Sequence, residues 1–134
     1  MTSPDRRLLL DTHTLAWWLL DSPRLGAAAR AAIGAGDHTV LVSAASIWEM
    51  ATKHGRGRWP EVGTLLVDPE ATLVAERMTA LPISFAHARA AGHLVWDHPD
   101  PFDRMLAAQA IAEAATLVTA DPVFSGVAVE TLWR

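Results

Sequence analysis

Apolar positions along this chain alternate between short continuous runs and stretches at helical spacing, and the alternation predicts strands and helices in turn. Leu8-Leu9-Leu10, closed by Asp11, reads as a buried parallel strand. Beyond it, over residues 12–20, the period changes: Leu15, Trp18 and Leu19 share one helical face. Asp21-Ser22-Pro23 ends that helix and opens a second, because proline suits a first helical turn. Its body is the alanine-rich stretch 25–33, stopped by Gly34 and Gly36. Thr39-Val40-Leu41-Val42 is the second strand, and Ser43 caps a helix over 44–54. Residues 55–60 read as a loop on their glycines and proline, and a helix is predicted over 70–78. Leu81-Pro82-Ile83 is a short third strand, and Ser84 caps a helix over 85–95. His98-Pro99-Asp100-Pro101 forms a rigid turn before a helix over 103–115. A fourth strand over 116–119 ends at Ala120-Asp121-Pro122, and 127–132 alternates weakly as an edge strand.

Strands alternating with helices imply an α/β fold with a central parallel sheet of four to five strands, covered by helices on both faces. In such a sheet the working site lies beyond the carboxyl ends of the strands. With 134 residues and no internal repeat, low-complexity tract or linker, the chain reads as a single domain over 1–134.

Composition narrows the chemistry. A hydrophobic share of 51% with 19% charged residues excludes a disordered chain. The absence of cysteine excludes a disulfide scaffold, a thiolate zinc site and a cysteine nucleophile. The opening from Met1 to Arg7 is polar, and the apolar stretch 8–20 is interrupted by Asp11 and His13 and too short to span a bilayer, so a soluble, cytoplasmic protein without membrane contact is expected. A net charge of −4 argues against tight nonspecific binding of nucleic acid, although carboxylates clustered around cations would produce the same balance.

Four acids stand where the fold rule looks for a site. Asp11 closes the first strand, Asp121 follows the fourth, Asp103 opens a helix, and Glu49 lies within the helix after the second strand. Each has a plainer reading: Asp11 and Asp103 as helix caps, Asp121 as a turn residue before Pro122, Glu49 as a solvated helix-face charge. Brought together they would repel strongly, since two unit charges 4 Å apart cost about 4 kcal/mol at an effective dielectric of roughly 20. Protonation or cations would have to relieve that repulsion. Oxygen donors without thiolates favour Mg²⁺ or Mn²⁺, and such a site suits phosphodiester hydrolysis by an activated water. Thr12 and Thr119, beside Asp11 and Asp121, are placed to orient those carboxylates, or are ordinary helix-start and strand-end residues.

These residues carry a resemblance. Leu8-Leu9-Leu10-Asp11-Thr12-His13-Thr14-Leu15-Ala16-Trp17-Trp18-Leu19, Val42-Ser43-Ala44-Ala45-Ser46-Ile47-Trp48-Glu49-Met50-Ala51, His98-Pro99-Asp100-Pro101-Phe102-Asp103-Arg104-Met105-Leu106-Ala107-Ala108-Gln109-Ala110, and Thr119-Ala120-Asp121 with Phe124 together resemble the PIN-domain ribonucleases. The likeness is greatest to the VapC-type toxins of VapBC toxin–antitoxin pairs, and it extends over nearly the whole chain from Leu8. His13 stands where asparagine or serine is common in PIN domains, but it suits the bacterial branch with the Asp-Pro-Phe-Asp-Arg run. The resemblance implies a three-layer α/β/α sandwich and Mg²⁺- or Mn²⁺-dependent cleavage of RNA. It also implies a homodimer and inhibition by a small cognate VapB-like antitoxin. By position, Asp11, Glu49, Asp103 and Asp121 would be the catalytic, metal-site acids, with Asp11 and Asp103 as direct ligands and Glu49 and Asp121 binding metal or orienting water. Asp100 would support them by fixing the turn or by linking to Arg104.

Other residues invite readings of their own. Lys53, His54, Arg56 and Arg58 beside Trp59 form the densest basic run, suited to hold a single RNA strand by phosphate contacts and stacking, or else a solvated loop with Trp59 as an anchor. Trp17 and Trp18 are adjacent on a helix, so the pattern does not allow both to point into one core, and one is left for a partner groove or for partial exposure. The six histidines form no convincing ligand pair; His98 lies near the acids, as a turn residue or as a substrate contact. A signalling receiver is disfavoured because Lys53 is the only lysine and no early acid pair is present. A haloacid-dehalogenase-type phosphatase would need an acid where His13 stands. A PIN fold that only binds or scaffolds is the remaining alternative, and the presence of all four acids speaks against it.

Overall fold

Leu8, Leu9 and Leu10 have no exposure to solvent, and their side chains leave the sheet alternately on opposite faces, as the period of a strand demands. Leu8 and Leu10 enter a core with Val40, Val42 and Val118, while Leu9 enters a second core with Leu41, Leu81 and Leu117. The computed structural model describes residues 6–134, so the expectation for the polar opening of the chain falls largely on residues 1–5, outside those described. The sheet comprises β1 (Arg7–Leu10), β2 (Thr39–Ser43), β3 (Thr79–Leu81), β4 (Thr116–Val118) and β5 (Thr131–Leu132), in the order β3-β2-β1-β4-β5 with all pairings parallel. Helices α1 (Thr12–Leu19), α2 (Ala27–Gly34), α3 (Ala44–Gly55) and α4 (Pro69–Ala75) feed the first core. On the other face, α6 (Pro101–Ala112) fills the second core, with α5 (Phe85–His93) packed against it. This is the expected three-layer α/β/α sandwich, with five strands. Among the described residues no helix is long and apolar enough to cross a membrane.

Several boundaries differ from the sequence reading, each for a local reason. The second helix begins at Ala27, not at residue 25. Gly26 is its cap, a Cβ there would lie 2.3 Å from the Trp133 carbonyl, and that carbonyl accepts from Ala29 N–H at 3.0 Å. Trp17 and Trp18 both pack against the first core, against the expectation that only one would. Trp17 meets Trp133, and Trp18 donates its indole N–H to Glu76 at 2.6 Å. The third strand forms at Thr79–Leu81 and stops before Pro82, which has no N–H to extend a ladder. Two 3₁₀ segments, Pro60–Leu66 and Pro122–Gly126, were not anticipated, and the predicted edge strand shrinks to two residues. The last long helix starts two residues early, at Pro101, because Asp100 Oδ1 accepts from the N–H groups of Phe102 and Asp103. Its end at Ala112 comes early as well: Ala114 takes φ +51° and Ala115 N–H turns back to the Ala110 carbonyl.

Arg104 explains how α6 is seated. The anticipated link to Asp100 is not made. Instead, the guanidinium donates to the carbonyls of Ala91, Gly92, Leu94, Trp96 and His98 at 2.6–3.4 Å. One planar, five-donor side chain thus takes up two carbonyls from the last turn of α5 and three from the loop that follows, and fixes both to the helix that carries Asp103. Replacing Arg104 by Ala is expected to lower stability by about 1–3 kcal/mol in urea unfolding, the cost of leaving several part-buried carbonyls without their donor. Lysine should recover little of that loss, because one ammonium does not reach five carbonyls.

Candidate active site at the carboxyl ends of β1 and β4

The strand order reverses between β1 and β4: the chain leaves β1 toward β2 and β3, then crosses back to β4. Loops diverge at such a point and leave a crevice beyond the strand ends. A cavity of about 460 Å³ opens there, lined by Asp11, Thr12, His13, Trp17, Arg24, Glu49, Lys53, Asp100, Asp103 and Asp121, among others. The four acids singled out in the sequence therefore share one wall system, and Asp100 joins them.

Each acid is fixed by local geometry. Asp11 follows β1 directly and caps α1, its Oδ1 accepting from Thr14 N–H at 2.8 Å while Oδ2 accepts from the Thr119 hydroxyl. The Thr14 hydroxyl reaches across to the Val118 carbonyl at 2.8 Å, tying the first turn of α1 to the end of β4. Thr119 also accepts from Asp121 N–H at 3.0 Å, so one threonine links the acids that follow β1 and β4. Asp121 caps the second 3₁₀ segment through Val123 N–H. On α3, Glu49 is buried and both of its oxygens are engaged. Oε1 accepts from the Thr12 hydroxyl at 2.6 Å, and Oε2 pairs with Lys53 Nζ at 2.7 Å, one helical turn on. On α6, Asp103 Oδ2 lies 2.8 Å from His98 Nε2. The plain readings and the site readings of Asp11 and Asp121 thus coexist: both are caps, and both line the cavity. For Asp103 the cap belongs to its neighbour, Asp100.

Burial pushes the Asp11 carboxyl above the usual carboxylate range, opposed by its bonds from Thr119 and Thr14. Burial likewise raises Asp103; the bond from His98 works against that, and the like charges of Asp100 and Glu49 add to it. Among the described residues no three His, Asp or Glu side chains are arranged to share a metal ion. Both oxygens of Asp11 and of Glu49 are turned to protein donors instead.

Thr119 serves Asp11 as expected, whereas Thr12 serves Glu49 rather than its neighbour Asp11. Of the basic run, Lys53 lines the cavity, while Arg56 and Arg58 are exposed and lie off its lining. Trp59 is half-buried against the first core, stacked on His13 with centroids 4.9 Å apart and with Lys53 Nζ 5.8 Å from its ring centre. That geometry is an anchor's. His98, weighed as a turn residue, contacts Asp103. Sequence reasoning missed Arg24 and Trp17 on the cavity wall. Nothing in the local sequence marks Arg24, which reaches the site only through the turn between α1 and α2. The pairing of Glu49 with Lys53 was missed as well, although their i,i+4 spacing is a signal that could have found it.

Solved structures with the same fold include VapBC2 from Rickettsia felis, solved bound to a DNA fragment from its promoter. The identity is 18% over 96% of this chain and 99% of that one, with a TM-score of 0.69. FitAcB from Neisseria gonorrhoeae is 19% identical over 93% of this chain and 96% of that one, with a TM-score of 0.65. A toxin–antitoxin complex from Klebsiella pneumoniae is 19% identical over 93% and 95%, at 0.63. At these identities the likeness is one of fold. No curated protein matches the chain in sequence. The PIN domain profile matches residues 8–130, from the first strand through the segment after Asp121, and the chain therefore belongs to the PIN domain family.

Proposed function

We propose that this chain is a single PIN-like nuclease domain over residues 1–134, a metal-dependent endoribonuclease and the toxin of a type II toxin–antitoxin pair. The observation that carries the reading is the cavity at the β1/β4 crevice, where acids from four separate segments of the chain converge. Membership of the PIN family and a fold shared with toxin–antitoxin complexes support it.

The donor set fits Mg²⁺ or Mn²⁺: every acid offers oxygen, and Asp11 and Asp103 carry their charge at a disadvantage that a cation would relieve. Asp11 and Asp103 would hold the ion, with Glu49 and Asp121 supporting. When bound, the ion would supply Lewis-acid assistance to water attack on an RNA phosphodiester, leaving a 5′-phosphate and a 3′-hydroxyl. The chain's own part is positional. Thr119 and the first turn of α1 hold Asp11, Asp100 sets the first turn of α6 beneath Asp103, and His98 offers Asp103 a proton donor 2.8 Å away. Lys53 and Arg24 on the wall, with Arg56 and Arg58 beyond it, give the phosphates of an RNA strand cations to meet. We assign Trp59 there to holding the wall.

An antitoxin partner and a homodimer are part of the proposal. An apolar groove of about 720 Å³ between α3 and α4, with Trp48 and Val74 exposed on it, supports a protein-binding surface. A cytoplasmic location follows from the same reading.

Purified chain incubated with total RNA and Mn²⁺ is expected to cut it, and to stop both with EDTA and with Asp103→Asn. A folded chain that neither cuts RNA nor binds Mn²⁺ in calorimetry would leave only the binding or scaffold reading. A second expectation concerns pH. Asp11 and Asp103 have raised pKa values in the fold, so without metal their contribution is intact below the ordinary carboxylate range and is lost as pH rises through the raised values. Melting temperature in EDTA should therefore fall as pH rises out of the carboxylate range. The slope should be shallower for Asp103→Asn and should flatten in Mn²⁺. A slope indifferent to both would remove the charge argument.

A further inference from the structure

Lys53 is the only lysine of the chain, and its head lies on the wall of the acid cavity rather than in solvent along α3. Five carboxylates line that cavity, Asp11, Glu49, Asp100, Asp103 and Asp121, against two cations, Lys53 and Arg24. Arg24 forms no ion pair with any of them among the described residues; His98 lies 2.8 Å from Asp103 Oδ2, and the one lysine or arginine paired with a wall carboxylate is Lys53, 2.7 Å from Glu49 Oε2. The ammonium is not free to wander. Its stem rises one turn after Glu49, and the Trp59 ring lies beside Nζ at 5.8 Å, itself stacked on His13 of α1. Glu49 has no oxygen to spare: Thr12 holds Oε1 and Lys53 holds Oε2, with the side chain buried.

Resting on the reading of this cavity as a cation site, we propose that Lys53 is a positioning residue that acts as the site's internal counter-charge. Its ammonium clamps Glu49 and opposes the divalent cation, so that loading the site requires the Glu49–Lys53 pair to open. A lysine serving only as an exposed helix-face partner would leave cation affinity unchanged. One needed to hold Glu49 in place for the cation would strengthen that affinity. The proposal requires the opposite sign from the second and a real effect against the first.

The test is calorimetric titration of the full, metal-stripped chain with Mn²⁺, comparing wild type with Lys53→Met, Lys53→Gln and Lys53→Arg. Methionine keeps much of the apolar stem without charge, glutamine keeps a donor for Glu49 without charge, and arginine keeps the charge. Removing a unit charge this close to a dication is expected to tighten Mn²⁺ binding by on the order of tenfold in both neutral variants. Arginine should stay near wild type. In EDTA the neutral variants should melt below wild type, and saturating Mn²⁺ should close that gap. Unchanged or weaker Mn²⁺ binding in the neutral variants overturns the proposal, and so does an equal change in the arginine variant. If no variant binds Mn²⁺, the proposal falls together with the metal-site reading. Tighter binding in the neutral variants with no cleavage of RNA by wild type keeps the proposal and removes the ribonuclease. Should methionine prevent folding, the glutamine variant decides alone.

Discussion

Carboxylates withdrawn from water must be compensated, and the crevice at the reversal of a parallel sheet is where this fold does so. The reversal places the segments after β1 and β4 side by side: Asp11 follows β1 directly, and Asp121 stands two residues past Thr119, the first residue after β4. The Asp11 carboxylate accepts from Thr14 N–H and from the Thr119 hydroxyl, the Asp121 carboxylate accepts from Val123 N–H, and Thr119 in turn accepts from the Asp121 backbone N–H. Remove the reversal and there is no common wall. Remove the donors to Asp11 and burial would push its carboxyl further toward the protonated form.

From that constraint the rest of the site follows by reach. α3 springs directly from β2, with Ser43 at once the last strand residue and the helix cap, so Glu49 on its second turn is carried over the strand ends. α6 arrives from the other layer and has no strand to place it. Arg104 performs that task by gathering the carbonyls of residues 91–98, and Asp100 fixes its first turn. The cavity is thus assembled from two layers by two devices, strand continuity on one side and an arginine clasp on the other. Both lie outside the acids themselves, which leaves the acids free to differ in environment: Asp11 deeply buried, Asp103 partly so and crowded by Asp100 and Glu49.

The elements legible from sequence are those whose cause is local. A fully apolar run such as Leu8-Leu9-Leu10 has one sensible position in an α/β fold. Ser43 and Ser84 are caps by residue type and position, and both cap as expected. The four acids were legible because strand ends are legible and the site rule for parallel sheets is general. Non-local causes were invisible. Helix α2 starts late because a carbonyl from the far end of the chain, at Trp133, occupies its first turn. Arg104 looked like a partner for the nearby Asp100 because sequence distance suggested it, whereas five unpaired carbonyls across the loop were the stronger demand. His87 was set aside, yet it sits in a buried network in which Ser84 N–H donates to Nδ1 and Nε2 faces Glu113. The amide donor at Nδ1 requires that nitrogen to be unprotonated, which gives the ring a structural task.

The same distinction separates what holds this site from what works in it. Asp11, Asp100 and Asp121 each close a helical turn, and that task alone would account for an acid at each position. Glu49 has no such task. It is mid-helix, buried, and held by a hydroxyl from another helix and by an ammonium, an arrangement that local structure does not demand and that a leucine could replace with better packing. An ion pair is a costly way to fill that space, and the role proposed for Glu49 and Lys53 rests on that cost. Lys53 is the half-exposed partner of that carboxylate, so water can take up its ammonium if the pair opens, whereas Thr12 is buried.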